Sequence, residues 1–171
     1  MPSALLRRFM KRFPLCLLSQ SYGQTECSPV ATGLLHRDHL DCGPYGCKIG
    51  SVGRAVSTVE LTVLSPSGGL LPPGEVGEVV LRGPNVMKGY WNKPAETAAV
   101  LRGGWLYTGD LGYLDPEGFL TIVDRAKDMV ISGGENVYSA EVENIICQYE
   151  GVESCAVIGL PDADLGERVH A

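Results

Sequence analysis

Two rhythms of apolar and polar residues run along the chain. Over residues 59–64 they alternate with a period of two, and residues 77–83 (GEVVLRG) form a short apolar run; both predict strands. Between them, Ser65-Pro66-Ser67-Gly68-Gly69 and Pro72-Pro73-Gly74 supply turn chemistry. Residues 111–114 and 119–123 are short apolar runs joined by Asp115-Pro116-Glu117-Gly118, which has Pro and Gly where a type I turn wants them. That hairpin folds Asp110 and the Asp124-Arg125 pair back towards each other. Residues 15–18, 129–131 and 155–158 read as further strands, the last of them buried. Helical spacing appears at Leu5, Leu6, Phe9, Met10 and Phe13, and again at Val142, Ile145, Ile146 and Tyr149. Glu141 and Glu143 suit the start of that second helix, and Gly151 its stop. Residues 92–101, with Pro94 near the start and Glu96 in the first turn, predict a short surface helix. Helices and strands intermixed in this way predict a mixed α/β (α+β) fold.

Composition narrows the function classes. A chain of 171 residues holds one domain of ordinary size, and its 44% apolar content suits a packed core. A net charge of −6 argues against general nucleic-acid binding, and no apolar run is long enough to cross a bilayer. The 22 glycines point to many tight turns and to close backbone approach to ligands. There is no internal repeat and no low-complexity linker.

The cysteines Cys16, Cys27, Cys42, Cys47, Cys147 and Cys155 form no CxxC pair, which predicts free thiols in a reducing, intracellular compartment. The basic start LLRRFMKRF reads as a surface helix leading into residues 15–18. It also has the Arg-rich, acid-free pattern of a mitochondrial presequence, so cytoplasm and mitochondrion both stay open. His36, His39, Cys42 and Cys47 present four possible zinc ligands, although Gly and Pro among them read equally well as an ordinary turn. Glu78 and Arg82 have no neighbour that completes an acid–base or nucleophilic set and read as structural.

Chemistry concentrates in SYGQTE (residues 21–26) and in the stretch 104–143, GWLYTGDLGYLDPEGFLTIVDRAKDMVISGGENVYSAEVE. A carboxylate such as Asp110 can accept from both hydroxyls of a vicinal diol. A guanidinium such as Arg125 offers a rigid fork of donors for sugar or phosphate oxygens. An ordinary surface salt bridge is the competing reading of that pair. Gly133-Gly134 supply bare backbone, useful for a narrow ligand arm or simply for a tight turn.

In order and spacing, SYGQTE, GEVVLRGPNVMKGYW, YTGD, IVDRAKD, ISGGENVYSAEVE and LPDADLGERVHA closely resemble the adenylate-forming superfamily, in its acyl-CoA synthetase branch. The resemblance implies activation of a carboxylic acid with ATP to an acyl-adenylate, then transfer of the acyl group to coenzyme A. It places Tyr22, Gly23 and Gln24 around adenine, Thr25 near the phosphate, Glu26 on Mg²⁺, and Asp110 with Arg125 on the ribose and nucleotide. Lys127 falls at a hinge between a large domain (residues 1–125) and a small one (126–171), and Gly133 and Gly134 fall in the tunnel for the pantetheine arm.

By the same resemblance the partners are ATP or AMP, Mg²⁺, coenzyme A and a fatty or aryl acid. The phosphate loop lies upstream of this stretch and the adenylating lysine beyond Ala171. The chain is therefore expected to be inactive alone and prone to self-association. A non-catalytic nucleotide-binding or interaction module is the alternative, and a zinc-stabilised interaction domain built on residues 36–47 is the third reading.

Overall fold

The computed structural model describes residues 3–40 and 47–171. The amphipathic start is helix α1 (Ser3–Arg12), which buries Leu6 and carries Lys11 and Arg12 in its last turn, where the helix dipole favours cations. Residues 15–18 form no strand: Leu15 is 96% exposed and Leu17 is exposed too. The Leu18 N–H donates to His36 Nδ1 at 3.1 Å, so a side chain takes the bond that a ladder partner would take.

Strand β1 (Gln20–Tyr22) pairs antiparallel with β2 (Thr32–Leu34), which pairs with β3 (Arg54–Ala55). A 3-10 turn (Thr25–Cys27) and α2 (His36–Leu40) lie on the connections. Gly53, at φ 97°, is where two backbones nearly touch. A Cβ there would sit 2.1 Å from the Gly33 carbonyl.

A second sheet contains β4 (Glu60–Leu64), β5 (Gly77–Arg82), β6 (Leu101–Arg102), β7 (Trp105–Leu114) and β8 (Leu120–Arg125), in the order β4-β5-β7-β6 with β8 also on β7. Val79, Val80 and Leu81 are all fully buried. The apolar run that predicted β5 is therefore covered on both faces, as a central strand is. Glu60 lies opposite Arg82 and bonds its guanidinium at 2.6 Å, the structural role read for Arg82. Helix α3 (Pro94–Val100) has Pro94 in its first turn and buries no residue, as a surface helix should. Cys27, Ala31, Val59, Leu81 and Leu106 form the core, with Tyr22, Val56, Val86 and Val100 packed around it.

The remaining elements are β9 (Val130–Ser132), β10 (Glu135–Val137), α4 (Ser139–Ile146), β11 (Ile158–Asp162) and β12 (Gly166–His170). Their strands form an antiparallel sheet of order β10-β9-β12-β11. The strand expected over 155–158 begins only at Ile158, which is exposed, while Val157 is the buried residue. Val157 N–H donates to the Glu143 side chain at 2.9 Å, so the segment before β11 is tied to a helix instead of a strand. Helix α4 ends at Ile146, before Tyr149, so the predicted apolar face is cut short, and Ile145 and Tyr149 are both exposed. The chain falls into two compact units, Met1–Thr108 with Gly112–Ile122, and Gly109–Leu111 with Val123–Ala171.

In the first unit the hairpin turn is pinned by charge. Gly118 N–H donates to Asp115 O, and Asp115 N–H to Phe119 O, each at 2.9 Å. With Gly118 at φ 81° this is a three-residue loop, one residue longer than a minimal hairpin. Asp115 Oδ1 accepts from Glu117 and Phe119 N–H. Lys48, 11% exposed, reaches Asp115 at 2.5 Å and Glu117 at 2.6 Å. Burial pulls the Lys48 ammonium down, but the bonds to Asp115 and Glu117 outweigh it and leave it above its ordinary value. Burial pushes Asp115 up, but Lys48 and the two backbone donors outweigh that and leave it below the usual carboxylate range.

A depressed acid stabilises the fold above its unfolded pKa of about 4 and loses that contribution as pH falls through the folded value. A raised lysine stabilises below about pH 10.4 and loses the contribution as pH rises through its folded value. Lys48→Ala should therefore lower unfolding stability by about 1.5–3 kcal/mol between roughly pH 5 and 9, in urea titrations. The gap from the unaltered chain should narrow below about pH 4. A gap independent of pH would remove the ionic part of this account.

Candidate functional site

The SYGQTE segment lies in the first unit. Tyr22 ends β1, and its carbonyl accepts from Ala31 N–H at 2.8 Å. A Cβ on Gly23 would sit 1.8 Å from Pro29 O, so the glycine is demanded by backbone packing. Gln24 Nε2 donates to Thr108 O at 2.9 Å, and Thr108 Oγ1 to Val79 O at 2.7 Å, which ties the motif to β7 and β5. Thr25 opens the 3-10 turn and is exposed. Glu26, half-buried, accepts from Tyr90 OH at 2.7 Å through Oε1, and its carbonyl accepts from Met87 N–H at 2.8 Å. The bond to Glu26, then burial, then the charge of that carboxylate push the Tyr90 phenol up, so it stays protonated and donates at neutral pH. Asn85 Nδ2 donates to Cys27 O at 2.7 Å and Val30 O at 3.2 Å, closing the far side of the turn.

The bracing set of Asn85, Met87 and Tyr90 was not singled out from sequence. No periodicity marks it, because it lies in a loop some 60 residues away whose use becomes visible only in three dimensions. The spacing GPNVMKGYW, polar residues threaded through a Gly-bounded loop, is the only trace it leaves.

The second unit holds the other candidates. Asp110 is buried on β7, and Arg125 Nε stands 3.6 Å from Asp110 Oδ1 with its side chain 61% exposed. The hairpin thus brings the two together as its turn predicts, and in this chain they form an ion pair. Gly109, inside β7 at φ 71°, bends the strand immediately before Asp110. Asp124, also buried, accepts Ser139 Oγ at 2.9 Å and Arg125 N–H at 2.8 Å.

Lys127 is exposed in a turn whose Asp128 and Met129 N–H groups both donate to Arg125 O. Gly133 and Gly134, at φ 59° and 87°, are the two-residue loop joining β9 to β10. Positive φ at both positions is what the tightest hairpin loop needs, so backbone geometry alone requires both glycines.

Of the zinc candidates, His39 is buried with Nδ1 on Leu35 O, and Cys47 donates to His39 O, while His36 accepts from Leu18. Cys42 lies outside the described residues. The described residues include no group of three or more His, Cys, Asp and Glu arranged to hold a metal ion. A cation at Glu26 would therefore need oxygens from a bound phosphate. That suits Mg²⁺, which is usually bound by one or two carboxylates plus substrate phosphates. No helix among the described residues is long and apolar enough to cross a membrane.

Two segments rich in ligand-type residues thus stand on a mixed α/β scaffold. Residues 1–91 match the AMP-binding enzyme family, and the chain belongs to it. A feruloyl-CoA synthase from Amycolatopsis sp is 48% identical over 166 residues, 97% of this chain and 32% of the relative. A long-chain-fatty-acid–CoA ligase from Bacillus subtilis is 46% identical over 154 residues, 90% of this chain and 26% of the relative. The o-succinylbenzoate-CoA synthetase of Bacillus subtilis, solved with its acyl-adenylate intermediate, superposes with a TM-score of 0.88 at 38% identity, over 99% of this chain and 33% of that one. The chain thus spans about a third or less of the length of the relatives it matches.

The glycines make a graded prediction. Gly23→Ala forces a Cβ into the Pro29 carbonyl and should destabilise by about 3 kcal/mol or more. Gly134→Ala meets open space and suffers only the left-handed backbone penalty, about 1–2 kcal/mol. Urea midpoints check the order, and a Gly134 variant as damaged as the Gly23 variant would contradict it.

Proposed function

We propose that this chain forms the nucleotide floor and the hinge of an ATP-dependent carboxylic acid–CoA ligase acting on a fatty or aryl acid. The observation that carries the reading is the pairing of Asp110 with an exposed Arg125, in a chain nearly half identical to proteins named as CoA ligases. In the reaction, a carboxylate oxygen of the acid attacks the α-phosphorus of ATP, the α–β bridging P–O bond breaks, and pyrophosphate leaves. The thiolate of coenzyme A then attacks the acyl carbon and AMP leaves.

Asp110 accepts from the ribose hydroxyls, and Arg125 directs its guanidinium at the nucleotide. Tyr22, Gly23 and Gln24 border adenine, and Thr25 offers its hydroxyl to the phosphate. Glu26 would hold Mg²⁺, which neutralises phosphate charge when bound. Lys127 lets the second half-reaction use a different arrangement from the first, and Gly133 with Gly134 leave room for the pantetheine arm.

Calorimetry with AMP tests the floor. Asp110→Ala should weaken AMP binding by about tenfold or more, since a hydrogen bond to a charged group is worth about 1.5–3 kcal/mol. Equal affinity in the two proteins would remove Asp110 from the site.

The hinge is tested with residues 1–171 exchanged into the matching segment of the Amycolatopsis relative. No described hydrogen bond uses the Lys127 N–H, so Lys127→Pro acts through torsion, fixing φ near −65° and restraining Ala126. Acyl-adenylate formation should persist while transfer to coenzyme A collapses, and Lys127→Ala should leave both steps working. Equal loss of both half-reactions in the proline variant would sink the hinge.

A further inference from the structure

Glu26 is held at two points by one loop. Its carbonyl accepts from Met87 N–H, and its Oε1 accepts from Tyr90 OH at 2.7 Å. Among the described residues nothing engages Oε2. A glutamate side chain normally samples several staggered rotamers, and a carboxylate that serves as a cation ligand must first give up that freedom. A short phenol–carboxylate bond removes it before any ligand arrives.

Tyr90 is itself anchored. Its N–H donates to Thr97 Oγ1 at 2.9 Å, its carbonyl accepts from Lys93 N–H, and Thr97 Oγ1 donates to Lys93 O at 2.8 Å. Gly89, at φ 149°, lets the loop pass so close to Thr97 that a Cβ would lie 2.8 Å from its methyl group. The chain from α3 through Thr97 and Tyr90 to Glu26 is continuous, and it serves no part of the buried core.

We propose that Tyr90 is a positioning residue: it fixes the Glu26 carboxylate in one rotamer, so that Oε2 is presented to a divalent cation carried by a nucleotide phosphate. The inference rests on the proposed nucleotide site and goes one shell beyond it. Residues that hydrogen-bond a metal ligand orient it, and their loss typically costs ten- to a hundredfold in metal affinity.

The test uses the 171-residue chain with Mn²⁺ as the probe, read by electron paramagnetic resonance with and without AMP, alongside urea unfolding. In a double-mutant cycle of Tyr90→Phe and Glu26→Gln, the effects on the unfolding constant should overlap by about tenfold instead of multiplying. With AMP present, Tyr90→Phe should weaken Mn²⁺ binding by about tenfold or more, while metal-free AMP affinity stays unchanged. Effects that multiply independently would overturn the brace. A full brace with unaltered Mn²⁺ affinity in Tyr90→Phe would overturn the positioning role and leave Tyr90 purely structural. If the unaltered chain binds AMP but no Mn²⁺, the cation role of Glu26 and this proposal fall together, while the nucleotide reading survives. If it binds neither, the nucleotide reading fails too, so the two failures are told apart.

Discussion

The carboxylate of Asp115 collects two backbone N–H groups and the Lys48 ammonium, and in doing so closes the hairpin of β7 and β8 in a single register. Register matters more than stability here. Slipping a strand by one residue turns every side chain to the opposite face. A slipped β8 would carry Arg125 away from Asp110 and Asp124 away from Ser139. A three-residue loop with Gly118 in the left-handed region admits little slippage, and the charge cluster makes the alternatives costly. The salt bridge therefore acts at a distance, through the pairing of two strands.

The same hairpin carries two buried aspartates whose surroundings divide their tasks. Asp124 spends Oδ1 on the Arg125 backbone and Oδ2 on Ser139, at the first turn of α4, and so fastens the helix to the strand. Asp110 faces a guanidinium that is mostly in water. An ion pair with an exposed partner gives little stability, on the order of 0–1 kcal/mol. Two identical side chains on one hairpin thus meet different partners, one a helix hydroxyl and a backbone N–H, the other an exposed guanidinium. Gly109, at φ 71°, bends β7 just before Asp110.

Local chemistry was legible wherever one segment decides its own structure. The turns at Ser65–Gly69 and at Asp115–Gly118, the Pro94 helix start and the Gly133-Gly134 loop all depend on residues within a few positions of one another, and all formed. Strand and helix coverage was less legible, because it depends on what lies alongside. Residues 15–17, Ile145 on α4 and Tyr149 beyond its end have the composition of buried segments but stand exposed. Val157 gives its N–H to Glu143, and the ladder begins only at the next residue. The bracing of Glu26 by Asn85, Met87 and Tyr90 is the limiting case: every partner is distant in sequence, and none is unusual in type.

Glycine was legible as a composition, and the backbone supplies its own reasons for several of these positions. Bare backbone suggests room for a ligand, yet each of the four glycines nearest the candidate site has an internal reason to be there. Gly23 yields to the Pro29 carbonyl, Gly109 bends a strand, and Gly133 with Gly134 turn a hairpin. A ligand-binding segment has to be held still before it can bind, and holding it still brings backbone segments into contact or left-handed conformation. Glycine is the residue that satisfies both demands at least cost. The glycines of SYGQTE and SGGEN are thus explained by the rigidity of the frame. Any contact they make with nucleotide or pantetheine is a use of space that folding had already cleared.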